Sequence, residues 1–462
     1  MSILDQPPAT RHASTRGEIL IIGAGLAGMS AAALLGPKAI VLEAASSPGG
    51  LVKSLCFDGY WFDHVIHLLY LPDKKTKKRI LAIFGETLAP CPPIAWVESL
   101  AGRVRYPFQS NVGALPDKAI VIECIKGFAA VAYETSSITP IHYEDMLRQT
   151  FGDPMCEKFF FPYNRKMWQR PLDGLAPSGF HWNIDRPDFE CLLKTIVDPD
   201  SRGPSYNADG WYPRPPAQSS VRGMGYLSGK LAERVHDLRL QHRVISVDLE
   251  KHELGVMTPE GHRHFSYQNA CLSTMPLPLM VKLCRQASRK LLLGMEDLQW
   301  NRVRSVGLNI KGPRPTGLGH WCYYADESLI FTRLVFLHEF DPEMAPPEGW
   351  PLLVEITEPA EAPPLAEAEL IRRVLRDLAR TSVLPAGSEV IAAHSWICDP
   401  AYVVFTPDNQ DIMIEARAFL QSGGVTPLGR YGHWEYSSMG QVMRDGHAWA
   451  ENRLMRERSC EL

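Results

Sequence analysis

The chain has 462 residues, enough for two or three domains of about 150 residues each, and its 48 basic against 52 acidic residues leave a formal charge of -4. Its only dense basic run, Lys74 to Arg79, reads as a solvated helix face, so no nucleic-acid or other polyanionic partner is expected. Ten cysteines with no CxxC pair and no histidines at ligand spacing exclude a structural zinc site and suit reduced thiols in a cytoplasmic protein; no apolar run reaches the ~20 residues of a membrane span.

Residues 1–16 are polar, lack the apolar centre of a signal peptide and are expected to form a disordered tail. Glu18 to Ile22 is a short apolar strand that runs into Gly23-Ala-Gly25-Leu-Ala-Gly28 and a small-residue helix through Leu35. In such a strand–turn–helix the first glycine permits the turn, the second admits a pyrophosphate to the backbone and the third lets helix and strand touch. A second strand, Ala39 to Leu42, ends at Glu43, where a carboxylate would take ribose hydroxyls, and Gly49-Gly50 follow.

Pro72 to Phe151 is mostly helical, interrupted by a hairpin from Ala95 to Phe108 with its turn at Ala101-Gly102. The run Phe159-Phe-Phe-Pro-Tyr163-Asn164 to Trp168 offers aromatic faces and one amide, a set that suits a pyrimidine base and equally suits a helical core. Asp198 to Arg222, rich in Pro, Gly and Ser, is expected to be a long loop of the kind that serves as a lid. A helix to Arg234 and strands at Val244 to Leu249 and Ala270 to Met275 come next. Ser305–Ile310, Trp321–Ala325, Leu329–Phe336 and Leu352–Thr357 alternate as antiparallel strands. The segment from Pro364 is an amphipathic helix. Gly429 to Gly446 gathers an arginine, tyrosines, a tryptophan and a glutamine before a helix that Ser437 or Ser438 can cap; the first amides of that helix would face an anion.

In order and spacing these motifs resemble those of the UDP-galactopyranose mutases, most of all their eukaryotic-type branch, within the amine-oxidase-like FAD-binding proteins. The resemblance runs from about residue 18 to 449 and rests on GAGLAG with Glu43 and Gly49-Gly50, on Asp63 and His67, on Tyr106-Pro-Phe-Gln109, on the Phe159 to Trp168 segment, on Trp182-x-x-x-Arg186 and on Asp399-Pro-Ala-Tyr402 with Arg430. It implies an α/β protein: a discontinuous Rossmann-like FAD-binding domain (17–75, 220–300 and 415–462), an inserted, mainly helical substrate domain with a mobile flap (76–219) and an antiparallel β-sheet domain (301–414).

The cofactor would be FAD, active when reduced, with NAD(P)H admissible as reductant and the ligands Gly23, Gly25, Gly28, Glu43, Gly49, Gly50, Leu51, Val244, Gly429, Arg430, Ser438, Met439 and Gln441. A nucleotide-linked sugar would lie against Tyr106, Gln109, Phe159, Asn164, Trp168, Arg186, Tyr323, Arg333, Tyr402 and Tyr436. Arg333 and Arg186 would hold the leaving diphosphate and His67 would position the flavin. The implied reaction is pyranose–furanose interconversion of UDP-galactopyranose or a related NDP-hexose through a flavin N5–sugar adduct, with no metal. A homo-oligomer is left open.

Two departures from the family stand out. Val65-Ile66 replace the Gly-Gly of the flavin-facing loop, and Phe340 replaces a phosphate-binding tyrosine. β-Branched residues resist the positive φ that glycines allow, so the loop backbone is expected to differ. An FAD-dependent oxidase or dehydrogenase acting on a nucleotide-linked or glycosylated molecule is the alternative, and a non-catalytic nucleotide-sugar binding protein a third reading.

Overall fold

The computed structural model describes residues 15–133, 139–177, 186–198 and 209–460. Residues 1–14 of the expected tail, Trp182 and residues 199–208 of the expected lid lie outside them. Two sheets organise the chain. The first holds seven strands, in the order Arg243–Asp248, Glu253–Thr258, Gly261–Ser273, Thr15–Ile22, Ala39–Leu42 and Asp237–Arg239, with Val425–Pro427 added beside Gly261–Ser273. Its centre is parallel: Ile19–Ile22 pair with Ala270–Ser273 on one side and Ala39–Leu42 on the other. Such strands are buried on both faces, which is why they read as unbroken apolar runs. The first strand starts at Thr15, inside the segment expected to be tail, because Thr15 and Arg16 already pair with Phe265 and Ser266.

Two helices cover this sheet next to the glycine turn. Leu26–Leu35 is built of small residues, and the C-terminal helix Met439–Cys460 lies on it. The approach is close: a Cβ on Gly446 would meet the Ala27 carbonyl oxygen at 2.4 Å.

The second sheet also has seven strands, ordered Glu389–Val403, Trp300–Lys311, Gly349–Pro359, Arg333–Phe336, Trp321–Tyr324, Ala95–Ser99 and Gly102–Arg105. The expected hairpin therefore forms, but as this sheet's edge rather than as part of the helical unit, with Ala95–Glu98 parallel to Trp321–Tyr324. The strand expected from Leu329 begins only at Arg333, since Leu329 closes a turn onto the Asp326 carbonyl. The long edge strand Glu389–Val403 was not anticipated; half-exposed residues and a proline obscure its alternation.

Helices at Lys118–Ala132, Tyr143–Phe151, Phe161–Trp168 and Phe189–Val197 form the insertion, with their own core of Phe108, Phe128, Phe151, Phe160 and Trp168. No helix among the described residues is long and apolar enough to cross a membrane.

Candidate functional site

A cavity of about 1130 Å³ runs from the glycine turn, between the sheets, to the insertion. Gly23, Gly25, Glu43, Gly49, Gly50, Leu51 and Val244 line its first end. Each does so for a local reason. The Gly23 amide closes onto the Leu42 carbonyl at 2.8 Å, and Gly49 onto that of Ala24 at 2.8 Å. Nothing lies within 4 Å of where a Gly25 Cβ would stand, so backbone is open to a ligand there. Gly28 does not face the cavity; a Cβ there would lie 2.1 Å from the Gly23 carbonyl oxygen, so it serves helix–strand contact. Glu43 accepts the amides of Ala24 and Ala45, both at 2.8 Å, which anchors it at the strand end with lone pairs to spare. Together these make a cradle for the phosphates and ribose of a dinucleotide.

Midway, Ser437, Ser438, Met439 and Gln441 bring the start of the C-terminal helix to the wall. The Ser438 amide donates to Gln441 Oε1 at 2.8 Å and the Gln441 amide to Ser438 Oγ at 3.3 Å, a reciprocal capping box. Ser438 is thus the cap, and the positive end of a 22-residue helix faces the cavity.

Opposite lies the segment Val65-Ile66-His67, all three on the wall. Neither Val65 nor Ile66 takes a positive φ. Sheet side chains fix the segment. Ser305 Oγ (3.0 Å) and Trp396 Nε1 (2.5 Å) donate to the His64 carbonyl, and the Ile66 amide donates to Glu355 Oε1 at 2.7 Å. His67 Nδ1 is 3.0 Å from the Val65 carbonyl, so it carries the proton and leaves Nε2 an acceptor. Burial pushes His67 down to about 3, the Val65 bond opposing and Arg430, His64 and Arg333 adding to the fall; His67 is neutral at physiological pH. Asp63, aligned with the family's carboxylate, faces elsewhere. It accepts from Tyr212 Oη (2.7 Å), Ser54 Oγ (2.8 Å) and the Met224 amide (2.7 Å), tying three chain segments together.

The far end combines two arginines with phenols. Tyr163, Tyr323, Arg333, Glu355, Tyr402, Arg430, Tyr431 and Tyr436 all line it. The Arg430 guanidinium stands 4.4 Å from the Tyr436 ring and 5.3 Å from that of Tyr402, and donates to the Ala401 carbonyl at 2.7 Å. Arg333 lies 5.5 Å from the Tyr323 ring and pairs with Glu355 Oε2 through Nε at 2.8 Å and through Nη2. Burial alone would favour neutral guanidines, but Glu355 and the phenols around Arg333, and the phenols around Arg430, outweigh it. Both arginines are charged. Burial holds Tyr163, Tyr323 and Tyr402 as phenols. Cys398 is on the wall, but burial pushes its thiol up to about 12, which rules it out as a nucleophile at neutral pH. Among the described residues no three His, Cys, Asp or Glu form a metal-binding group.

The residues expected at a nucleobase are placed differently. Asn164 is buried with its amide committed: Oδ1 accepts from Tyr143 Oη (3.1 Å) and Trp168 Nε1 (3.2 Å), and Nδ2 donates to the Phe160 carbonyl at 2.7 Å. Phe159 stacks on Tyr163 with centroids 5.3 Å apart and belongs, with Trp168 and Gln109's neighbour Phe108, to the insertion's core. Gln109 is buried in the short helix Phe108–Asn111, off the cavity wall. Tyr106 does not line the cavity; its ring is 5.4 Å from that of Tyr323. Arg186 is exposed, donates to the Val131 carbonyl at 2.9 Å and lies over the Phe128 ring, and it does not line the cavity. Phe159, Asn164 and Trp168 thus pack in the helical insertion, while Tyr163 of the same run lines the cavity.

Asn164→Ala should therefore destabilise by roughly 2 to 3 kcal/mol, because it strands buried donors. UDP affinity should change less than about 3-fold. Thermal melts and a UDP titration of the variant check this.

Tyr163, Tyr431 and Glu355 line the far end without having been singled out from the sequence. Glu355 had a signal: it is the lone acid in the run Leu352-Leu353-Val354-Glu355-Ile356, all buried.

The buried histidines also set a pH dependence. His64, His320 and His338 are driven to about 4 by burial, alongside His67 near 3. Depressed below the unfolded value of about 6.5, each contributes stability that is complete above that pH and lost as pH falls below it. Asp63, raised by burial to about 6, acts oppositely, its contribution being lost as pH rises from about 4 through 6. Four groups outweigh one, so Tm should drop by several degrees between pH 7.5 and pH 5, at up to ~1 to 2 kcal/mol per histidine. A flat Tm across that range in scanning calorimetry would contradict these placements.

The NAD(P)-binding Rossmann-like domain family matches residues 21–84, from the end of the first strand through the glycine turn to Phe84. A comparison of the sequence with curated proteins found no match. Among solved structures, a reduced UDP-galactopyranose mutase superposes with a TM-score of 0.85 at 20% identity, covering 95% of this chain and 94% of its own. Putrescine oxidase bound to putrescine gives 0.63 at 16% identity over 96% and 100%. A CLA-producing fatty acid isomerase from P. acnes gives 0.61 at 13% over 95% and 98%. Over nearly its whole length, then, this chain has the fold of UDP-galactopyranose mutase.

Proposed function

We propose that the protein is a flavin-dependent isomerase that interconverts the pyranose and furanose forms of a nucleotide-linked sugar, UDP-galactopyranose or a related NDP-hexose. The observation that carries this reading is the convergence of Arg333, Arg430 and four cavity-lining tyrosines, Tyr163, Tyr323, Tyr402 and Tyr436, on the same cavity as a dinucleotide cradle and a capped helix start. The residues fit FAD. Gly25 leaves backbone open for a pyrophosphate, Glu43 waits at the strand end for ribose, and the Ser438-capped helix offers its positive end where a reduced flavin carries negative charge.

When bound, the flavin would supply the nucleophilic nitrogen for the anomeric carbon. The chain's own residues do the rest. Arg430 and Arg333 bind phosphoryl oxygens, each charge-assisted bond being worth ~1.5 to 3 kcal/mol net. The phenols donate hydrogen bonds to the sugar-linked oxygens, and neutral His67 presents Nε2 as an acceptor beside the reacting centre. The apolar wall of Val65, Ile66, Leu68 and Trp321 excludes water.

A second reading, an FAD-dependent oxidase or dehydrogenase, draws support from the fixed Val65-Ile66 backbone and from Glu355 cancelling the charge of Arg333. Anaerobic addition of UDP-galactopyranose to the oxidised flavoprotein separates the two. The isomerase should show a shifted but unbleached flavin spectrum, and furanose only after dithionite; bleaching without added reductant would favour the second reading.

A further inference from the structure

One rung of the second sheet joins the two walls of the cavity. Trp396 pairs with Ser305, Ser305 with Glu355, Glu355 with Arg333 and Arg333 with Tyr323, each directly across from the next on antiparallel strands. Cross-strand partners share a face, so these five side chains leave the sheet on the same side. There they meet the segment His64-Val65-Ile66-His67. Trp396 Nε1 (2.5 Å) and Ser305 Oγ (3.0 Å) donate to the His64 carbonyl, and Glu355 Oε1 accepts the Ile66 amide at 2.7 Å. Glu355 Oε2 holds Arg333, which also bonds to Tyr323. The same rung therefore fixes the segment, the arginine and the separation between them.

Two peptides of the segment are thereby kept from turning. The 64–65 carbonyl takes two donors, and rotating it away would leave the hydroxyl of Ser305, at 0% exposure, without its acceptor. The 65–66 peptide is held at both ends, its carbonyl 3.0 Å from His67 Nδ1 and its N–H on Glu355. Turning it would break a charge-assisted bond to a carboxylate that is 3% exposed. Apart from His67 itself, every partner comes from the sheet.

We propose that Ser305, Glu355 and Trp396 are positioning residues that hold the 64–67 segment in register with Arg333 in one backbone conformation, the same in the flavin-free chain and beside oxidised or reduced flavin. His67 then keeps Nε2 at a constant place relative to the phosphate-binding arginine throughout turnover. The part concerning the flavin rests on the site proposed above.

The test is site-resolved amide hydrogen exchange of the full chain in its flavin-free, oxidised and dithionite-reduced forms. The Ile66 amide should exchange at least ~100-fold more slowly than an unprotected amide in all three, with oxidised and reduced rates agreeing within about 5-fold. In S305A/W396F the His64 carbonyl loses both donors, while the phenyl ring keeps the packing of Trp396 on Phe57 and Phe62. The released segment can follow the cofactor, so residues 65–67 should exchange at rates that differ by more than about 5-fold between the oxidised and reduced variant. A merely structural role would raise exchange equally in both forms.

A variant whose two forms still agree overturns the proposal. So does a wild-type Ile66 amide that changes by more than about 5-fold on reduction, or that is unprotected in the flavin-free chain, and these wild-type measurements decide the matter if the double variant does not fold. Failure of the flavin reading shows separately, as a chain that takes up no flavin from solution, and leaves the flavin-free measurement to decide the role of the rung.

Discussion

Arg333→Met should lower kcat/KM of the reduced enzyme by about 100-fold or more, the largest effect expected of a single change at the site. Two losses combine. The variant gives up a charge-assisted bond to the substrate's phosphate, on the scale of ~1.5 to 3 kcal/mol, and it strands Glu355 as an unpaired carboxylate on the same wall. An uncompensated buried charge costs ~3 to 5 kcal/mol unless it takes up a proton, so Tm should fall as well. Adding E355Q to R333M should restore most of the lost Tm while leaving turnover low, because the charge conflict is removed but the phosphate donor is not. Steady-state kinetics and melts of the three variants check this. A loss of less than about 5-fold for R333M would mean that Arg333 belongs to the sheet and not to the substrate site.

Gly28→Val should yield protein without flavin. An added Cβ would lie 2.1 Å from the Gly23 carbonyl oxygen and 3.2 Å from Ile21 Cγ2, and neither the turn backbone nor a strand side chain at 0% exposure can yield. The helix Leu26–Leu35 must shift outward, at ~1 to 3 kcal/mol for overpacking, carrying the cradle away from its cofactor. Losing the cofactor removes its stabilising linkage in addition. Gly25→Ala is the informative contrast, since its Cβ meets nothing within 4 Å: the chain should fold with an unchanged apo Tm but bind FAD more weakly. Flavin absorbance per polypeptide and apo-protein melts distinguish the two. Full flavin content in Gly28→Val would refute the role of that helix–strand contact.

What the sequence made legible is what short-range chemistry dictates. The glycine turn, the strand ending at Glu43 and the Ser438–Gln441 box are set by residues within one or two turns of each other, so spacing alone reveals them. Of the cavity-lining phenols and arginines, Tyr323, Arg333, Tyr402, Arg430 and Tyr436 were found through motif order, and the fold brings all five to the cavity. Contacts between distant segments were not legible. Glu355 acquires its meaning from Ile66, 289 positions away, which no local pattern encodes. Asn164 looked like a base-reading amide because its neighbours are aromatic; only Tyr143, on another helix, shows that its lone pairs are taken. Arg186 was assigned a phosphate by motif alone, yet among the described residues it rests on Val131 and Phe128.

The proposed reaction opens and recloses the ring of a nucleotide-linked sugar on a reduced flavin bound in this cavity. The most direct measurement incubates dithionite-reduced protein with UDP-galactopyranose and related UDP- and TDP-hexopyranoses and resolves the products by anion-exchange chromatography. A furanose product from at least one of them, formed by reduced but not oxidised protein, is the predicted result. No furanose from any, with flavin that is loaded and reduced, would contradict it.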